Sequence, residues 1–349
     1  MARVIATLLV VSTLLAADRQ ERPAGQGFSF RTGVELVNVT ATVTDQSGRF
    51  VPGLTANDFV LYEDGKPQEI TQFDSERVPV SLGIALDTSG SMLGEKIVAA
   101  QAALNRFLVD LLGAQDEVFL YRFDSRPTLV QGWTEDRRAL SRALGTVRPN
   151  GGTAIYDTVA EAIPLAQTGS RRKKALVVIS DGNDTSSRTS VGELQQAIRE
   201  TEVLIYAIGI DASGGNNYSS PPSSPAAPGP PRTLPVPSPF PGKAPPPVQA
   251  PAPRPQPPPP SRSNRSSSVD RVNPDALRAI TDDSGGRTEI IVSPRDLDPT
   301  TAGIADELSR QYFLGYTSTV PKDGRWHSIE LRLKRGNYVV RARKGFVAS

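Results

Sequence analysis

The sequence predicts an α/β protein in which a Rossmann-like, doubly wound sheet carries an accessory β-sandwich made of strands from the N- and C-terminal parts of the chain. Two observations predict this fold class. Between residues 79 and 310, buried apolar runs alternate with helical patterns, as in sheets of parallel strands. Residues 34–75 and 311–349 instead alternate apolar and polar residues between turn signals, and neither set has enough strands to form a stable core alone. We therefore expect the two sets to pair with each other.

Strands and helices follow one another through the middle of the chain. The run at 80–86 is almost entirely apolar, which is typical of a buried parallel strand, and residues 97–111 then repeat apolar side chains at helical spacing. Ser190 and Glu193 form the capping-box pattern that opens a helix. The other predicted strands are 118–123, 175–179, 203–210 and 290–292, and the other helices are 135–144, 154–166, one starting at Asn273-Pro274 and one around 304–308.

The two ends of the chain carry the patterns of antiparallel strands. In the N-terminal part, apolar residues share one face of a first strand, and Glu63-Asp64-Gly65 supplies a hairpin turn after a second. The residues on that first face are Val37, Val39, Ala41 and Val43. Toward the C-terminus the predicted strands are 312–316, 326–334 and 338–343.

Composition narrows the classes of function. The 349 residues include no cysteine and one histidine, which excludes disulfides, thiolate metal sites and cysteine nucleophiles and leaves hard oxygen ligands for any metal. The formal net charge is +2, but residues 212–269 hold five basic residues and no acidic one, so the rest of the chain is net acidic. We therefore expect no nucleic-acid partner.

Two segments differ from the rest of the chain. Residues 1–17 combine Arg3, an apolar run too short to span a bilayer, and two small residues, a pattern that predicts a signal peptide and export to the periplasm, the cell surface or the medium. No transmembrane segment is predicted elsewhere. Residues 212–269 include 20 prolines in the 40 positions of 221–260, so we expect a disordered insertion in the α/β domain.

Three polar segments follow predicted strands or open predicted helices, where open α/β sheets place their binding sites. They are Asp87-Thr-Ser-Gly-Ser91, Gly151-Gly-Thr153 and Ser180-Asp181-Gly182. Each segment alone is as well explained by a helix cap or a turn. Together they offer two carboxylates and three hydroxyls, which are hard oxygen ligands for a divalent cation.

This combination resembles the von Willebrand factor type A domain, whose metal-ion-dependent adhesion site has the pattern D-x-S-x-S, then T, then D. The five positions are matched here by Asp87, Ser89, Ser91, Thr153 and Asp181. The flanking parts are similar to those of the acidobacterial VWFA-related proteins, in which an exported A-type domain lies between segments resembling LTANDFVLYEDGKPQEI and QYFLGYTS.

The resemblance implies a divalent-cation site and a binding function. By this resemblance Ser89, Ser91 and Thr153 bind Mg²⁺ (or Mn²⁺ or Ca²⁺) directly, whereas Asp87 and Asp181 act directly or through water. An open coordination position would then accept a carboxylate from a partner protein. The sequence thus predicts a non-catalytic, exported binding module.

Other interpretations of the same residues remain open. The metal could only stabilise the fold of an assembly module, or Asp87 could be the nucleophile of a phosphatase-like hydrolase, although that chemistry is expected to have an acid where Ser89 stands. A Ser–His–Asp hydrolase would need His327, which we expect to be a packing or surface residue. We expect Asp184 to be a solvated turn residue and the basic run 171–174 to be a solvated loop.

Overall fold

The computed structural model describes residues 35–181, 184–211 and 272–348. The predicted signal peptide and proline-rich insertion lie outside these residues, and the predicted segment boundaries stay predictions. In chain order the described strands are β1 (Glu35–Thr44), β2 (Phe59–Glu63), β3 (Lys66–Gln68), β4 (Ile70–Asp74), β5 (Val80–Asp87), β6 (Glu117–Phe123), β7 (Pro127–Thr134), β8 (Lys173–Ser180), β9 (Leu204–Ile210), β10 (Thr288–Ile291), β11 (Tyr312–Ser318), β12 (Trp326–Leu333), β13 (Val339–Ala342) and β14 (Gly345–Val347). The described α-helices are α1 (Glu95–Arg106), α2 (Arg137–Gly145), α3 (Ile155–Gln167), α4 (Val191–Arg199), α5 (Pro274–Thr281) and α6 (Leu297–Arg310).

The middle of the chain forms a six-stranded sheet in the order β10-β9-β8-β5-β6-β7. Its strands are parallel except β7, which pairs antiparallel with β6. Every residue of β5 is buried, because helices cover both faces of the sheet. Leu82 and Ile84 belong to the apolar cluster with α1, α2 and α6, whereas Ala85 belongs to the cluster with α3, α4 and α5. The predicted doubly wound α/β fold is therefore confirmed.

The two ends of the chain build one β-sandwich. One sheet has the order β13-β1-β11-β4 and the other has the order β14-β12-β2-β3, so each sheet combines N-terminal and C-terminal strands. The predicted apolar face of β1 is buried in the shared core, where Val37 and Val39 pack with Leu61, Tyr312 and Leu314. This is the accessory β-sandwich that the strand patterns predict.

Some features differ from the sequence expectations. The sequence patterns do not predict the edge strand β7 or the short strand β14. The basic run 171–174 is not a solvated loop throughout, because Lys173 opens β8 with 1% of its surface exposed. Its Nζ donates a hydrogen bond of 2.7 Å to the backbone oxygen of Leu308, near the end of α6. The carbonyls at a helix C-terminus carry partial negative charge and therefore stabilise the buried ammonium group. The local sequence alone indicates a surface lysine at this position.

Among the helices of the described ranges, none is long and apolar enough to cross a membrane.

Candidate metal centre

The candidate site lies at the carboxyl edge of the central sheet. Asp87 is the last residue of β5, and Asp181 directly follows β8. These strands are neighbours in parallel register, with Leu86 paired to Ile179, so their carboxyl ends bring the two aspartates together. The apolar strands thus fix the position of two carboxylates that are far apart in the sequence.

A continuous chain of hydrogen bonds joins four of the predicted site residues. The Asp87 carboxylate accepts from the backbone N–H of Ser89 at 2.7 Å and from the hydroxyl of Ser180. The hydroxyls of Ser89 and Ser91 lie 2.9 Å apart, and Ser91 donates to Oδ1 of Asp181 at 2.7 Å. The alternate residues of the D-x-S-x-S loop are therefore linked to the Asp181 carboxylate through Ser91.

The loop that carries Thr153 is joined to the D-x-S-x-S loop by backbone hydrogen bonds. Gly90 N–H donates to the oxygen of Gly151 at 3.0 Å, and Asn150 N–H donates to the oxygen of Thr88 at 2.7 Å. Gly151 has a φ of +75°, and a Cβ there would lie 2.9 Å from the Ser125 hydroxyl, so glycine suits this turn. Thr153 is 5% exposed, and within the described residues its hydroxyl makes no hydrogen bond to the other four.

Burial governs the electrostatics of the site. Asp87 is completely buried, which raises the pKa of its carboxyl to about 6, and the nearby Asp181 charge acts in the same direction. The hydrogen bonds from Ser180 and Ser89 oppose this rise because they stabilise the ionised form. Two buried carboxylates in contact with the same serine loop form a locus of negative charge, which favours a bound cation.

The donor set fits a hard divalent cation. The five residues offer only oxygen atoms, in two carboxylates and three hydroxyls, and such ligands suit Mg²⁺, Mn²⁺ and Ca²⁺. In the part of the chain that the structure describes, no group of three or more acidic or histidine side chains could hold a metal by itself. Serine and threonine hydroxyls would therefore have to supply part of the coordination.

Sequence reasoning named Ser180 only as part of its segment, without a role, and it did not single out Lys96. Ser180, the residue before Asp181, donates to the Asp87 carboxylate. Lys96, in the first turn of α1, forms an ion pair with Asp181 Oδ2 and donates to the backbone oxygen of Ser91 at 3.1 Å. Its position five residues after the D-x-S-x-S motif was the available clue, since a helix that leaves the loop returns its first turn toward the site.

Two residues weighed as alternatives lie outside the cluster. Asp184 is half-buried and accepts from the backbone N–H groups of Tyr156 and Ser187, so it fixes the loop at the start of α3 rather than facing solvent. His327 lies on β12, where its Nδ1 is 2.7 Å from Asp64 and its ring packs near Phe346. The histidine therefore belongs to the sandwich and does not contact Ser89 or Ser91.

The centre of the chain is similar to known proteins. Residues 82–183 match a family model described as the von Willebrand factor type A domain. Inter-alpha-trypsin inhibitor heavy chain H4 of Sus scrofa is 28% identical over 133 residues, covering 35% of this chain and 14% of the pig protein. The chain thus spans about a seventh of that relative's length.

Two solved structures also match part of this chain. The von Willebrand factor type A protein from Catenulispora acidiphila has 15% sequence identity and a TM-score of 0.46, covering 82% of this chain and 71% of that chain. The structure of proximal thread matrix protein 1 from the mussel byssus, with a zinc occupied MIDAS motif, has 12% identity and a TM-score of 0.46. It covers 70% of this chain and 49% of that chain.

Proposed function

We propose, from the match of residues 82–183 to the von Willebrand factor type A family model and from the signal-peptide pattern of residues 1–17, that this protein is an exported, non-catalytic binding module. In this proposal a divalent cation, Mg²⁺ or alternatively Mn²⁺ or Ca²⁺, is held by Asp87, Ser89, Ser91, Thr153 and Asp181. The cation then binds an acidic group of a partner protein, whose carboxylate completes its coordination shell.

The hydrogen-bonded chain from Asp87 through Ser89 and Ser91 to Asp181 is the observation that carries this proposal. It gathers hydroxyls around only two carboxylates, and Lys96 adds a positive charge beside them. A divalent cation would therefore leave the cluster with a formal charge of +1. A site with residual positive charge favours an anionic ligand over a neutral one.

The loops around the site support an acidic partner. Arg126, Arg148 and Arg188 are exposed on the three loops that hydrogen-bond to one another beside Thr153 and Gly151. Within the described ranges the side chains of Arg126 and Arg148 form no ion pair, whereas Arg188 lies beside Asp157 and donates its backbone N–H to that carboxylate. The positive charge on these exposed loops would attract an acidic surface and orient its approach.

The loop contacts favour a binding role over a purely fold-stabilising metal. Thr88 N–H donates to the oxygen of Phe123 at 2.7 Å, and the bonds of Gly90 and Asn150 join the same loop to residues 150 and 151. These bonds hold the loops together through protein groups alone. We therefore expect the fold to persist without the cation, whereas partner binding depends on it.

The proposal is tested by calorimetric titration of the full chain with MgCl₂ or MnCl₂, beside the variant Asp87→Ala. We expect the wild type to bind one cation and the variant to bind none, with circular dichroism unchanged. Equal affinities would overturn the site.

Partner binding is then tested with immobilised protein and envelope extract, where capture should need Mg²⁺, be reversed by EDTA and fail for Asp87→Ala.

Export is tested separately. Mass spectrometry of the secreted or periplasmic protein should find a mature N-terminus near residue 18, as the pattern of residues 1–17 predicts. A cytoplasmic protein that retains Met1 would contradict export without affecting the metal site.

A further inference from the structure

Lys96 contacts Asp181, one of the residues proposed to hold the divalent cation. It belongs to the first turn of α1, and 19% of its side chain is exposed, whereas the side chain of its partner Asp181 is fully buried. The ammonium group pairs with Asp181 Oδ2 and also donates to the backbone oxygen of Ser91 at 3.1 Å. A lysine side chain is thus folded back onto the loop that carries the predicted metal ligands.

The location of this lysine on its helix is electrostatically unfavourable. The N-terminus of a helix carries partial positive charge, which disfavours a cation in the first turn. The contact with Asp181 offsets this effect, because a buried carboxylate without a partner is strongly destabilising. Lys96 therefore stabilises the Asp181 carboxylate and does not stabilise the helix.

Both oxygens of Asp181 are occupied by protein donors. Oδ1 accepts from the Ser91 hydroxyl at 2.7 Å, and Oδ2 is paired with Lys96. A divalent cation bound directly to Asp181 would lie beside these donors and compete with them for the carboxylate charge. Because the ammonium carries a full charge and would lie close to the incoming cation, repulsion makes it the group that leaves.

We propose that Lys96 is a built-in counter-cation of this site, which neutralises Asp181 when no divalent ion is bound and is displaced when one binds. The inference rests on the proposed metal site and adds a residue that sets how tightly this site binds the divalent ion. Lys96 lowers the affinity for the divalent ion, so the site fills only at a higher ion concentration. The displaced ammonium then adds positive charge where the acidic partner group approaches.

The first test compares Lys96→Met with the wild type by calorimetric titration with MnCl₂ and MgCl₂. Methionine keeps most of the apolar stem and removes the competing charge, so we expect about tenfold tighter binding, the scale of a close charge pair. Lys66→Met, which removes an exposed lysine of β3 in the sandwich, is the matched control and should leave the affinity unchanged. Equal or weaker binding by Lys96→Met would overturn the inference.

A second test uses the wild-type chain and does not depend on the folding of a variant. Amine-reactive labelling with mass spectrometry should find Lys96 protected without divalent ions and several-fold more reactive in saturating Mg²⁺, while Lys66 keeps the same reactivity. Labelling of Lys96 that does not change when calorimetry shows bound Mg²⁺ would overturn the displacement.

The outcomes separate the two proposals. If the wild type binds the ion and Asp87→Ala does not, but Lys96→Met has wild-type affinity, the metal site stands and the role of Lys96 fails. If neither the wild type nor Lys96→Met binds Mg²⁺ or Mn²⁺, both proposals fail together.

Discussion

At the scale of single residues, Asp87 favours cation binding but destabilises the folded state. Its carboxylate is buried, accepts from Ser89 and Ser180, and lies near a second carboxylate, Asp181. Two like charges in a buried site raise the free energy of the folded state. Such a residue is expected to serve the ligand at some expense to the fold.

The variant Asp87→Asn tests this balance. Asparagine keeps the shape and an acceptor for Ser89 N–H, while the Ser180 hydroxyl can turn to accept from the amide. We expect Mg²⁺ affinity to fall by roughly 100-fold or more, since a charged site residue is lost. The free energy of unfolding without metal should stay the same or rise. Denaturant unfolding beside calorimetry measures both, and a large loss of stability would show that the charge supports the fold.

Lys173 gives a pH-dependent prediction outside the site. Burial lowers the pKa of its ammonium from 10.5 to about 8 in the folded protein. Between these values the unfolded chain binds more protons than the folded one, so the unfolding free energy should rise with pH through this window, by roughly 1 kcal/mol per pH unit. Below about pH 8 the lysine is charged in both states and the slope disappears.

The slope is measured by urea unfolding at several pH values between about 7.5 and 9, below the range in which the tyrosines of the unfolded chain titrate. Lys173→Met should flatten the slope, whereas Lys174→Met should keep it, because Lys174 shares the strand but is less buried. A wild-type slope that persists in Lys173→Met would assign it to another group.

At the scale of elements, α4 separates local stability from metal binding. Ser190 Oγ accepts from Glu193 N–H, and the Glu193 carboxylate accepts from Ser190 N–H at 2.8 Å, so both halves of the predicted capping box are formed. Ser190→Ala should lower the unfolding free energy by about 1 kcal/mol, because helix donors lose their acceptor. Calorimetry should find the Mg²⁺ affinity of this variant unchanged. A weakened affinity would mean that α4 helps to position the Asp181 loop.

At the scale of the whole molecule, a polar network joins the sandwich to the α/β sheet. Glu307 on α6 accepts from Thr42 of β1 at 3.0 Å and from Tyr206 of β9 at 2.8 Å, and it pairs with Arg341 of β13. Gln311 donates to both Thr42 and Tyr206. One largely covered carboxylate thus links the two parts of the molecule, which predicts that they unfold cooperatively.

Removing the C-terminal strands tests the shared sandwich. A chain shortened to end at Arg310 loses β11, the strand between β1 and β4, and β12, the partner of β2. The buried face of β1 would then meet water, so the shortened chain should bind a hydrophobic dye and aggregate. Hydrogen exchange should be fast in β1 and β2. Slow exchange in both strands of the shortened chain would refute the interdependence of the two ends.

The sequence determined the features that depend on local pattern. The apolar run of β5 and the alternating face of β1 predict which of their residues are buried, because periodicity shows which side of an element meets the core. The capping box at Ser190 predicts where α4 begins. The order of the D-x-S-x-S, T and D positions also follows from the sequence, since each lies next to a strand or helix that the pattern identifies. These features were sufficient for the fold class and for naming the five candidate ligands.

Only the tertiary structure decided which distant groups meet. The pairing of β5 with β8 places Asp181 beside Ser91, and the return of α1 places Lys96 on the same carboxylate. Lys173 looks like one basic residue among four in sequence, but the end of α6 covers it. The physical reason is that a charge is stabilised by its partner, and for these residues the partner is chosen by long-range packing of strands and helices rather than by local sequence.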